Sequence, residues 1–226
     1  MNQSTGRAAG LADRNRDAFR RNGVIAMNLL GSPGSGKTTL LERTVDELKH
    51  HASVAVVAAG VHTDIDAKRI SQYDVPVVPL VLQGKCHIDA GMLRSALDGI
   101  ALGDTELLFI ENVSGLICPS LHDLGESLTV AVLGVTEGDD KPLKHPELFR
   151  RASILVINKM DLLQWVTFDL DAFKRQALEL NPGLKIFQIS CTLGYGLREW
   201  YEWLLHEVRL GQEWVAAREA TASPAE

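Results

Sequence analysis

Val24-Ile-Ala-Met-Asn-Leu-Leu30 runs directly into Gly31-Ser-Pro-Gly-Ser-Gly-Lys37-Thr38-Thr39. The first stretch is apolar on both alternating sets of positions, the pattern of a strand covered on both faces. The second fits G-x-x-x-x-G-K-[ST] and lies where that motif has chemical meaning, after a buried strand and at the opening of a helix. Its glycines let the backbone curl so that N–H groups from Gly34, Ser35, Gly36, Lys37, Thr38 and Thr39 face a polyphosphate at a helix N-terminus. Lys37 then reaches the β- and γ-phosphates, and the Thr38 hydroxyl is placed to ligate Mg²⁺. A purely structural Gly-rich turn is the bland alternative, and the correct flanks argue against it.

Outward from this loop, short apolar segments alternate with helical ones. Strands are expected at Val24–Leu30, Val54–Ala58, Val77–Leu82, Leu107–Ile110, Val130–Val135, Ile154–Ile157 and Ile186–Ile189. Helices are expected over 8–22, Thr38–His51, Asp89–Ile100, Asp171–Glu179 and Leu197–Val208. Buried strands separated by helices predict an α/β fold with a mostly parallel sheet flanked by helices on both faces. The division expected is an N-terminal helical segment over 1–22, a phosphate-loop domain over 23–212, and a disordered tail over 213–226.

Composition excludes several classes. The chain has 226 residues, 46% hydrophobic and 23% charged, enough to bury a core. Its net charge of −6 argues against a nucleic-acid partner. No apolar run has the length of a membrane span, and no apolar region follows the N-terminal arginines as in a secretory signal. The three cysteines, Cys86, Cys118 and Cys191, do not make a disulfide framework. A cytoplasmic setting is expected.

Asn158-Lys159-Met160-Asp161 follows the strand Ile154–Ile157 and matches N-K-x-D. A carboxylate on Asp161 accepts from N1–H and the exocyclic amine of guanine, whereas adenine would leave it unpaired. With a phosphate loop in the same chain, the pattern points to GTP and GDP. Ser190-Cys191-Thr192 occupies the place of a loop whose backbone contacts the guanine oxygen, with Cys191 a small structural residue. Glu111, ending the strand Leu107–Ile110, stands where a carboxylate faces the metal. Asp64 and Asp66 lie on a segment that nucleotide could order, with helix capping the competing role for Asp64. Lys37, Asp66 and Glu111 are thus the candidate catalytic groups, and Thr38, Asp66 and Glu111 the candidate Mg²⁺ ligands.

Cys86 and His87 are adjacent, and Cys118 lies on the segment leaving Glu111. The spacing is not that of a zinc finger, and taken alone it favours a buried Cys and an ordinary His. Location favours ligation, because Cys118 sits where a γ-phosphate would be felt. Two thiolates and an imidazole suit Zn²⁺ or Ni²⁺, and a two-fold dimer could complete the coordination. Cys118 and His122 share a face if their stretch is helical. His62 and His145 lie in or near other candidate nucleotide-responsive loops.

Together, G-S-P-G-S-G-K-T-T-L-L-E at 31–42, T-D-I-D-A-K-R-I at 63–70, C-H-I-D-A at 86–90, E-N-V-S-G-L-I-C-P at 111–119, D-L-G-E at 123–126, T-E-G-D-D-K-P-L-K-H-P at 136–146 and N-K-M-D at 158–161 closely resemble the HypB family of nickel-delivery GTPases for [NiFe] hydrogenase. The resemblance implies a phosphate-loop GTPase of the SIMIBI class, slow hydrolysis and GTP-promoted homodimerisation. It further implies a Ni/Zn site from Cys86, His87 and Cys118 at the dimer interface. Its implied partners are the HypA metallochaperone and, through it, the hydrogenase large-subunit precursor. The urease-type relative UreG is similar in plan but carries C-P-H where this chain has C-H. Four departures stand out. The first 22 residues hold no C-x-x-C-G-C motif or His-rich tract, so the N-terminal nickel site of some members is expected to be absent. Ser114 replaces a glycine expected near the γ-phosphate, the segment Leu82-Gln-Gly-Lys-Cys86 is one residue short, and Gly60 stands where the family often has Asp. A nucleotide-gated scaffold without useful turnover, and less readily a small-molecule kinase, remain rival readings.

Overall fold

The computed structural model describes residues 3–113 and 115–222. Seven strands form one sheet: β1 (Ile25–Leu30), β2 (Val54–Gly60), β3 (Val77–Val81), β4 (Leu107–Glu111), β5 (Leu128–Gly134), β6 (Ile154–Asn158) and β7 (Lys185–Gln188). Their order is β3-β2-β4-β1-β5-β6-β7, and every pairing is parallel. The expected fold class is therefore found, with the sheet wholly rather than mostly parallel. Eight α-helices accompany it among the described residues: α1 (Gln3–Asn22), α2 (Lys37–Leu48), α3 (Ile65–Ile70), α4 (Ala90–Leu97), α5 (Lys141–Lys144), α6 (Pro146–Arg151), α7 (Leu170–Leu180) and α8 (Leu197–Ala222).

Alternation along β1 shows how both faces are used. Met27 and Leu29 enter the layer under α2, α3 and α8, while Ala26 and Leu30 enter the layers on the other face under α1 and α4 and under α6 and α7. Trp200 of α8 is fully buried, and its indole N–H donates to Thr44 Oγ1 of α2 at 2.9 Å, so the largest side chain of that layer leaves no polar atom unpaired.

The expected N-terminal helix is α1, and it packs on the sheet domain: Phe19 is buried, and the Asn15 amide donates to the carbonyls of Ala90 and Leu124, both at 3.0 Å. The C-terminal end differs from the sequence expectation. The stretch after residue 212 that composition assigns to a disordered tail is helical through Ala222. Ala, Arg and Glu are good helix formers, and Val215 approaches so closely that a Cβ built on Gly23 would lie 2.7 Å from it. Residues 223–226 of that tail lie outside the described residues. No helix among the described residues is long and apolar enough to cross a membrane.

Candidate nucleotide and metal sites

Placing β4 beside β1 sets Glu111 opposite Leu29, so the loop leaving β1 and the carboxylate ending β4 come together at the carboxyl ends of these two central strands. There the phosphate-loop residues line a cleft of about 630 Å³ with His62, Asp66, Arg69, Glu111 and Lys159. Lys37 Nζ donates to the carbonyls of Gly31 at 3.0 Å and Ser32 at 3.2 Å, and burial lowers its pKa against the attraction of Glu111. Thr38 Oγ1 lies 2.6 Å from Glu111 Oε1 and 3.2 Å from Asp66 Oδ1. One hydroxyl thus meets both expected metal carboxylates. Glu111 Oε2 is buried without a hydrogen-bond partner, and the carboxyl is pushed up to about 7, first by burial and then by the Asp66 charge. A buried oxygen left without a donor beside a hydroxyl and a second carboxylate fits a hard divalent cation.

Asp64 sits at the start of α3 without capping it and pairs instead with Lys68 at 2.9 Å. Sequence reading missed Arg69, whose guanidinium takes Glu42 of α2 at 2.6 and 3.0 Å and so fastens α3 to the phosphate-loop helix. It also missed Glu137, which accepts from Gly134 N–H at 2.7 Å.

The base loops are joined by one side chain. Asn158 Nδ2 donates to Ser35 O at 2.9 Å, while its Oδ1 accepts from Lys159 N at 2.8 Å and Cys191 N at 3.4 Å. Ser190 Oγ donates to Asp161 at 2.5 Å. Cys191 is buried, and burial pushes its thiol up to about 11, so it stays a neutral packing group. Gly36 is pressed against the same side chain: its φ is +97°, and a Cβ there would lie 2.3 Å from Asn158 Nδ2. Gly36→Ala is expected to cost about 1–2 kcal/mol in stability from the left-handed backbone alone. It should also weaken nucleotide binding by disturbing Asn158, which urea unfolding and nucleotide titration would measure together.

The thiols and imidazoles stand on two arms at the cleft's rim. One arm is the turn Leu82-Gln-Gly-Lys85, closed by Lys85 N to Leu82 O at 3.1 Å and tied to the cleft wall by Gly84 N to Val61 O at 3.2 Å. Gly60, just before that wall, is pressed so closely on Thr63 that a Cβ would lie 1.9 Å from its carbonyl oxygen, which leaves no room for the family's usual Asp. The other arm follows β4 and is pinned by Gly115 N to Gly31 O at 3.0 Å. Cys86 Sγ lies 3.5 Å from His87 Nδ1, and the Cys86 thiol reaches Cys118, whose pKa this contact raises. Among the described residues no three His, Cys, Asp or Glu are closed around one point. The donors meet as pairs. The pairs nevertheless fit a soft divalent ion: metal bonds of about 2.3 Å to sulfur and 2.0–2.1 Å to nitrogen give a tetrahedral S···N edge of about 3.6 Å. Cys118 and His122 do not share a helical face, because a 3₁₀ turn, Pro119–Leu121, separates them. His62 lines the nucleotide cleft and His145 precedes α6. Ser114 lies outside the described residues.

The CobW/HypB/UreG nucleotide-binding domain family matches residues 25–188. The hydrogenase maturation factor HypB of Escherichia coli K12 is 45% identical over 194 residues, 86% of this chain and 67% of that protein. The chain belongs to the HypB family. Archaeoglobus fulgidus HypB has a crystal structure similar to this one with a TM-score of 0.84 at 37% identity, covering 90% of this chain and 99% of that one. Helicobacter pylori HypB, solved in complex with nickel, gives a TM-score of 0.85 at 32% identity over 90% of this chain and 95% of that one. The chain spans 63–67% of the length of the Escherichia coli and Azotobacter chroococcum HypB factors that it matches.

Proposed function

We propose that this chain is a GTP-binding and GTP-hydrolysing metallochaperone of the cytoplasm that assists nickel insertion during [NiFe] hydrogenase maturation, with its nucleotide state coupled to a Ni/Zn site at Cys86, His87 and Cys118. One observation carries the coupling: the Gly31 carbonyl accepts both from Lys37 Nζ and from Gly115 N–H, three residues before Cys118. The side chain assigned to the γ-phosphate and the arm assigned to the metal therefore share one acceptor.

When triphosphate binds, the Lys37 ammonium exchanges two neutral carbonyls for charged phosphate oxygens, a roughly twofold stronger class of hydrogen bond. Thr38, Asp66 and Glu111 hold Mg²⁺, which would neutralise phosphate charge. Water then attacks the γ-phosphorus, the bond to the bridging oxygen breaks, and GDP and phosphate leave. Loss of the γ-phosphate returns Lys37 to Gly31 O, and the arm carrying Cys118 relaxes. The proposed partners are a second copy of the chain, the HypA metallochaperone and, indirectly, the hydrogenase large-subunit precursor. Support for nickel comes from the thiol and imidazole donors and from the nickel complex of the Helicobacter pylori relative.

Coupling exists only if the metal binds the two nucleotide states unequally. Nickel affinity is expected to differ about tenfold between the GTP and GDP forms, within the usual range of such couplings. A competition titration giving equal affinities would sink the coupling. Single-turnover phosphate release tests hydrolysis separately.

A further inference from the structure

His122 has no role in the sites described so far. Its ring nevertheless lies flat on that of His87, with centroids 3.6 Å apart and planes 3° from parallel. The two rings come from opposite arms. His87 follows the tight turn that bears Cys86, and His122 follows the 3₁₀ turn after Cys118, which is closed by Leu121 N to Cys118 O at 3.2 Å. Ser120 Oγ, 2.9 Å from the carbonyls of Leu116 and Ile117, braces that turn. The stack is thus a bridge between the arms.

Imidazole nitrogens ligate through lone pairs in the ring plane. In parallel rings 3.6 Å apart those lone pairs run side by side and do not converge on an ion about 2 Å from each nitrogen. Shared ligation is therefore a poor fit to this arrangement. The stack instead covers one face of His87 and restricts its rotation while Nδ1 points at Cys86 Sγ.

We propose that His122 is a positioning residue for the metal ligand His87: its ring holds the imidazole in the orientation that ligation beside Cys86 requires, and links the Cys86–His87 arm to the Cys118 arm. The inference rests on the reading of Cys86, His87 and Cys118 as the metal set. Partners that orient a ligating histidine are worth about 10–100-fold in metal affinity.

The test is Ni²⁺ titration of the full chain, followed by the sulfur-to-metal charge-transfer absorption, with His122→Ala, His122→Phe and Cys118→Ala beside the wild type. GTP affinity is measured on each variant as the check that the fold is intact. His122→Ala is expected to bind about tenfold more weakly with the absorption band kept, since the ligands are unchanged. His122→Phe, which retains a stacking ring but no donor, should recover to within about threefold of wild type. Wild-type affinity in His122→Ala, with binding lost in Cys118→Ala, overturns the positioning role alone. Binding in His122→Phe as weak as in His122→Ala overturns it in favour of direct ligation. If Cys118→Ala binds like wild type, the metal set itself falls.

Discussion

Asp161→Asn is expected to exchange the nucleotide preference of this chain from guanosine to xanthosine triphosphate. The carboxylate offers two acceptors, which suit guanine's N1–H and exocyclic amine. An amide offers one acceptor and one donor, which suit xanthine, whose C2 carries a carbonyl oxygen in place of the amine. Ser190 Oγ donates to Asp161 at 2.5 Å, so in the variant the same hydroxyl favours the amide rotamer with its oxygen toward Ser190. Sites that hydrogen-bond a substrate group reject an analogue lacking it by about 10⁴–10⁵, and a swing of about 10⁴-fold between the two nucleotides is the expected scale. Competition binding measures the swing. Hydrolysis at saturating xanthosine triphosphate should stay near wild type, because Lys37, Thr38 and Glu111 are untouched. A variant that still prefers GTP would remove Asp161 from base recognition.

Glu111→Gln should make the nucleotide-free protein more stable at pH 8 while slowing Mg²⁺-dependent turnover. In the folded chain the carboxyl titrates at about 7 against 4.5 as its ordinary value, chiefly because it is buried. A raised acid pKa means that the stability it contributes is complete below about pH 4.5 and is lost as pH rises through 7. At 1.36 kcal/mol per pKa unit, the loss is about 3 kcal/mol at pH 8. Glutamine carries no charge and escapes that loss. Thermal melts without nucleotide should therefore show the variant ahead at pH 8 and level with wild type near pH 4.5. Saturating Mg²⁺ and GTP should narrow the gap by stabilising the ionised wild type. An advantage of equal size at both pH values would show that packing, not ionisation, sets the difference. Phosphate release in the variant is expected to fall by about a hundredfold or more, on the scale of other lost electrostatic contributions to phosphoryl transfer.

The sheet was legible because its five inner strands are short apolar runs buried on both faces, and all seven strands, the half-exposed edge strands β3 and β7 included, lie within a few residues of their expected places. Helices α3, α5 and α6 span only four to six residues, too few to display a helical period. The C-terminal end of α8 misled composition, since the Ala-rich sequence that suggests disorder also favours helix when Val215 and Trp214 pack beside the start of β1. At the candidate site, residue identity and order were enough to gather Lys37, Thr38, Asp66 and Glu111. They could not show that Glu111 would keep an unpartnered oxygen, which depends on its depth beneath the loop. His122 was out of reach for a related reason: sequence distance relates it to Cys118 only if the stretch is helical, whereas the 3₁₀ turn carries its ring across to His87. Arg69 and Glu137 lie inside quoted stretches, 63–70 and 136–146, but no role could be read for them, because their partners Glu42 and Gly134 are defined by tertiary approach and a turn.

Asn158 gives the nucleotide site a property that follows from its wiring. Its amide reaches the phosphate loop at Ser35 and, from its other end, the two loops assigned to the base. The polyphosphate and the guanine therefore do not occupy independent subsites. Settling either loop limits the freedom of the other through a single buried amide, so whichever part of the ligand arrives first prepays some of the ordering entropy of the second. Guanosine and inorganic triphosphate offered as separate molecules should accordingly assist one another's binding, each making the chain a better receptor for its missing half.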